Sequence, residues 1–192
     1  MLIEELIRKH DLCNWGGELS EPFLKATVSE CWHDEKRFIY GTGLLWLLVH
    51  VQIDKKALVQ CACDVAVDVL PLVANDADEI SAVIEKVRGW CDGKIKKKDL
   101  AAVTEQAHER ERALRESAPA ASLAWLAIAQ LAGSVAHSRR VAGVPGAAAR
   151  AAEKAGVASF DETEAKFAKL VRARFPWAEV EAALAANLPS PY

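Results

Sequence analysis

Residues 117–135 read SAPAASLAWLAIAQLAGSV, and this stretch decides the fold class. Ser117 stands where a helix N-cap side chain would accept a free amide, and Pro119 has the fixed φ that an opening turn tolerates. Leu123, Leu126, Ile128, Leu131 and Val135 line one stripe, and alanine fills the positions between them. Alanine has the highest helix propensity, and its small side chain lets a neighbouring helix approach closely. The same usage recurs from Ala101 to Ala158, as in Ala147-Ala148-Ala149-Arg150-Ala151-Ala152. This half of the chain predicts tightly stacked helices with few groups for chemistry.

Downstream, Gly143-Val144-Pro145-Gly146 predicts a break before a short helix over 147–154. Ser159 with Glu162, or Asp161 with Glu164, has capping-box spacing for the next helix, whose inner face carries Phe167, Leu170 and Val171. Phe175-Pro176 stops it, and residues 177–186 form a last helix. Upstream, residues 99–116 place Leu100, Val103, Ala107 and Leu114 on one side. Glu105, Glu109, Arg110, Glu111, Arg112, Arg115 and Glu116 form a charged face expected in solvent, with Glu111 paired to Arg115.

Asp76 and Glu79 have the spacing of a capping box before a helix that buries Ile80, Val83, Ile84, Val87 and Trp90, closed by a left-handed Gly93. Asp54 caps a helix that runs to about Leu70, where Pro71 ends or kinks it. Residues 35–50, with Phe38, Ile39, Leu44, Leu45, Trp46, Leu47, Leu48 and Val49, are apolar on most faces and predict the central buried helix. Gly41 and Gly43 there would admit a neighbouring backbone. A helix over 2–11, a break at Asn14-Trp15-Gly16-Gly17 and a helix capped by Ser20, with Val28 and Cys31 inward, complete the pass. The fold class expected is all-α: an irregular helical bundle, or a short stack of antiparallel helical hairpins, of eight or nine helices. It is read as one domain over 1–192, with an alternative division into 1–54 and 55–192.

A net charge of -3 gives no general attraction to nucleic acid or to an anionic membrane, so neither is expected as a partner. The one dense basic run, residues 94–98, ends at Asp99 and reads as a solvated helix entry. The apolar run 43–51 is much shorter than the roughly 20 residues of a membrane span. Glu4 and Glu5 stand where a secretory signal would be basic, so a soluble, cytoplasmic protein is expected. The five cysteines then read as reduced thiols in helical cores. Cys61 and Cys63 would point about 200° apart on a helix, which argues against a shared metal.

Two Glu-x-x-His pairs, Glu30 with His33 and Glu105 with His108, carry the most chemistry. Each would present a carboxylate and an imidazole on one helical face, the local pattern of di-iron or di-manganese bundles, or of a zinc site. Such sites also need inward glutamates from further helices, which the sequence does not clearly supply. The same spacing equally suits plain surface pairing. His50 is expected to complement a helix C-terminus, as are His137, Arg139 and Arg140. Trp15, in the glycine break, is a candidate interface anchor. No nucleophile elbow is recognisable.

Residues 65–71, Val-Ala-Val-Asp-Val-Leu-Pro, lead through an acidic linker into a helix ending Arg88-Gly89-Trp90-Cys91-Asp92-Gly93-Lys94-Ile95, and then into the alanine-rich tract. Over residues 56–155 this order resembles the Imm-5-like immunity proteins of bacterial polymorphic toxin systems. The chain differs from that pattern at Val65, Val67 and the charged block 109–112. The resemblance implies a small helical protein, without chemistry or cofactor of its own, that neutralises a cognate toxin by binding it. The function expected is therefore a non-enzymatic protein-binding module. The alternatives are a metal-dependent helical enzyme using the Glu-x-x-His pairs, and a helical regulatory protein.

Overall fold

The computed structural model describes residues 2–5, 25–35 and 40–187. Nine α-helices lie among them: α1 (Val28–His33), α2 (Gly41–His50), α3 (Lys55–Ala66), α4 (Ala77–Cys91), α5 (Ala101–Leu114), α6 (Pro119–Ser134), α7 (Gly143–Lys154), α8 (Phe160–Arg174) and α9 (Trp177–Asn187). Four 3-10 segments, at 67–72, 74–76, 97–100 and 138–142, connect them. Among the described residues the one β-type contact is an isolated bridge between Leu2 and Thr27. The all-α irregular bundle is thus as expected. Trp15, Phe38 and the Ser20 cap lie outside the described residues.

The centre is α6. Ala124, Trp125, Ala127, Ile128, Ala129, Leu131, Ala132 and Gly133 are all buried, with α5 on one side, α7 on another, and α3 and α4 across from them. This corrects the expectation that residues 35–50 form the central helix. Among the described residues that helix begins at Gly41, and it packs mainly against α8, α7 and the 138–142 turn. Between its larger side chains α6 carries Ala124, Ala127, Ala129, Ala132 and Gly133, and these small residues let neighbouring helices approach closely. The connection 115–118 is short, so α5 and α6 form an antiparallel hairpin. Buried apolar side chains from Ile3 to Val180 join one continuous core.

Several ends form as the spacing indicates. Asp54 accepts the Ala57 amide at 2.9 Å, Ser159 and Glu162 exchange both capping bonds, and Gly93 has φ +79°. Others differ. Residues 143–146 are the first turn of α7 and make no break, because Pro145 sits where its missing N–H costs no intrahelical bond. The α3 helix tightens into 3-10 geometry at Val67 and carries Pro71 inside that segment. Ala118, not Ser117, is the N-cap residue of α6. Glu111 is buried, its carboxylate held by Arg115 at 2.9 Å while the Ser122 hydroxyl donates to its backbone carbonyl at 3.0 Å.

Of the two glycines in the α2 entry, only Gly41 admits a neighbour. A Cβ there would lie 2.7 Å from Phe167 Cβ and 2.9 Å from the Phe167 carbonyl carbon. At Gly43 a Cβ would meet nothing within 4 Å. Gly41→Ala must therefore push α2 and α8 apart, at about 2 kcal/mol, while Gly43→Ala gains about 0.5 kcal/mol of helix propensity. Thermal melts of the two variants should move in opposite directions; a loss at both would contradict this packing.

No single helix among the described residues is long and apolar enough to cross a membrane. Residues 55–72 and 74–91 together have the composition of a span but are bent by 119°.

Candidate functional site

The N-terminus of α2 has no cap from its own segment, since Tyr40 makes no side-chain capping bond. A glutamate 122 positions away takes that role. Glu164, fully buried on α8, accepts the Thr42 amide at 3.0 Å through Oε2 and the Thr42 hydroxyl through Oε1. The Gly41 amide also acts on this carboxylate. Gly146 of α7 completes the enclosure: a Cβ there would lie 3.2 Å from Thr42 Oγ1 and 3.6 Å from Glu164 Oε1. Three helices thus converge on one carboxyl group. Burial pushes its pKa above the ordinary range, against the opposing pull of the Thr42 and Gly41 bonds and the Arg150 charge.

Above this buried anchor lies a shallow concavity lined by Arg150, Glu153, Ser159, Phe160 and Asp161. Tyr40 stands beside it. Its ring lies 6.1 Å from that of Phe160, and its hydroxyl donates to Asp161 Oδ1 at 3.2 Å. Burial, then the Asp161 carboxylate, holds the phenol above its ordinary pKa. Tyr40 is 46% exposed, and Val157, in the turn between Glu153 and Ser159, is 69% exposed.

The sequence-based metal candidates are spent elsewhere. Glu30 accepts the Thr27 amide at 2.7 Å and the Thr27 hydroxyl at 2.9 Å, forming the α1 capping box. His33 sits edge-on to Trp177, with centroids 5.2 Å apart. Glu105 pairs with Arg112 at 3.1 Å, and His108 Nε2 is 3.5 Å from Arg140. The two pairs are not brought into one ligand set; among the described residues no three His, Cys, Asp or Glu side chains could hold a metal ion together.

His50 bonds the Trp46 carbonyl through Nδ1 at 2.7 Å, within the last turn of α2. Cys61 and Cys63 are buried in the core, and burial pushes the Cys61 thiol up to about 12 and the Cys63 thiol higher still. Neither is a nucleophile near neutral pH. The Tyr40–Phe160 surface was missed in the sequence because its residues lie 120 positions apart. The available signal was the second capping-box alternative, Asp161 with Glu164, which placed two carboxylates at the start of α8.

No family model matches the chain, and no curated protein or solved structure was found to match it. The class defined by the fold is an all-α irregular helical bundle.

Proposed function

We propose that this chain is a non-enzymatic protein-binding module, and that the Tyr40–Phe160 surface is where it grips its partner. The observation that carries this reading is the coupling of the exposed Tyr40, its ring against the half-buried Phe160, to a buried anchor. Tyr40 immediately precedes the α2 turn that Glu164 holds, so its ring is presented at low entropic cost before any partner arrives. The more specific form, an immunity protein that neutralises a cognate bacterial toxin, rests on the resemblance of residues 56–155. A cytoplasmic location belongs to that specific form.

The test is co-expression with a toxin-like protein encoded beside this chain, followed by size-exclusion chromatography with light scattering. Wild type should form a stable complex and restore host growth. Val157→Glu and Tyr40→Ala should each weaken the complex by about tenfold or more, as loss of a central anchor does. Circular dichroism would check that both variants stay folded. A complex untouched by both substitutions would remove this surface from the proposal, and a protein with stoichiometric bound metal would overturn the non-enzymatic reading.

A further inference from the structure

One end of the bundle collects cations that the docking surface does not use. The α3 N-terminus, the α4 C-terminus and the 97–100 turn all meet there. Lys55 and Lys56 each lie 5.8 Å from the Trp90 ring centroid. Lys55 also donates to the Val135 carbonyl at 2.8 Å, which ties the C-terminal end of α6 to the same place. Burial, and then the neighbouring Lys97 charge, lowers the Lys55 pKa, so Lys97 belongs to the cluster.

Six lysines stand here, at 55, 56, 94, 96, 97 and 98, against Asp54, Asp92 and Asp99. The aspartates are committed. Asp54 caps α3, Asp92 pairs with Lys94 at 2.9 Å, and Asp99 accepts the Lys96 amide at 3.3 Å. Lys56, Lys96, Lys97 and Lys98 are exposed, and among the described residues none of them is in an ion pair. This basic pole sits on a chain of net charge -3, so its charge is local and offset elsewhere.

Resting on the protein-binding reading, we infer that this pole is a second contact region, docking an acidic protein surface through Lys56, Lys96, Lys97 and Lys98 around Trp90. Charge complementarity identifies the occupant. A nucleic acid fits less well on two counts. The Trp90 ring is already attended by two ammonium groups, which compete with base stacking. The three aspartates would also face a continuous phosphate line carrying a charge about every 3.4 Å along a strand, whereas the separate carboxylates of a protein surface can avoid them.

The experiment is fluorescence anisotropy of a fluorescein-labelled twenty-residue polyglutamate peptide titrated with the full chain, in low salt and at physiological ionic strength. A labelled twenty-nucleotide oligothymidine forms the second arm. Saturable one-to-one peptide binding that weakens with salt is expected. Lys97→Glu/Lys98→Glu should weaken it about tenfold or more, while Lys154→Glu/Lys169→Glu, with the same change of net charge, should leave it within about twofold. No peptide binding, equal loss in both double variants, or binding of oligothymidine in preference to peptide would each overturn the inference. The co-expression complex with Val157→Glu and Tyr40→Ala is scored separately, so failure of the pole leaves the Tyr40 surface standing, and the reverse.

Discussion

Replacing Trp125 by alanine is expected to remove about 4 kcal/mol of stability and to lower the melting temperature by roughly 10 °C. Trp125 is 1% exposed at the centre of α6, the helix on which α3, α4, α5 and α7 all pack. Loss of the indole leaves a cavity that those helices cannot close without moving together. The ring also carries a polar duty: its Nε1 donates to Asp76 Oδ2 at 2.9 Å. Trp125→Phe keeps most of the volume and removes the donor, so it should cost about 1–2 kcal/mol. Asp76→Ala leaves the buried N–H without its acceptor and should cost a similar amount. Urea denaturation of the two single variants and the double variant gives the coupling. Strict additivity would mean that the bond contributes nothing.

That pair also marks where the sequence was readable and where it was not. Asp76 and Glu79 have the spacing of a capping box, but the structure puts neither carboxylate on the α4 amides. Asp76 is taken by an indole 49 residues downstream, and Glu79 by Arg110 at 2.8 Å. Local spacing reports which bonds a turn can make; it is silent on distant donors competing for the same oxygen. Ser159 with Glu162 has no such competitor, and there the box forms as read. Helix content was legible because alanine propensity and the 3.6-residue stripe are local properties. The hub was not. Hydrophobicity ranked α2 above α6, whereas close approach by neighbouring helices follows from the alanines and glycine spaced between the larger side chains of α6. The candidate site was the least legible part, since Tyr40, Gly146 and Glu164 become neighbours only after α2, α7 and α8 converge.

Glu164→Ala is expected to cost about 3 kcal/mol, because it strips the acceptor from the Gly41 and Thr42 amides and the Thr42 hydroxyl at a buried helix end. Glu164→Gln keeps one carbonyl oxygen for those amides and should cost about 1 kcal/mol. The pair separates hydrogen bonding from charge, and pH separates them further. Burial raises the folded-state pKa of Glu164 above its ordinary value of 4.5, so the folded protein holds this proton more tightly than the unfolded chain. Its contribution is therefore complete below 4.5 and is lost as pH rises through the raised folded value. Wild type minus Glu164→Gln stability, measured by urea denaturation from pH 4 to pH 8, should fall across that window and then level off. A difference that instead grows with pH would mean that the Thr42 and Gly41 bonds and the Arg150 charge outweigh desolvation. In that case the carboxylate, not the acid, is the form that holds α2 in place.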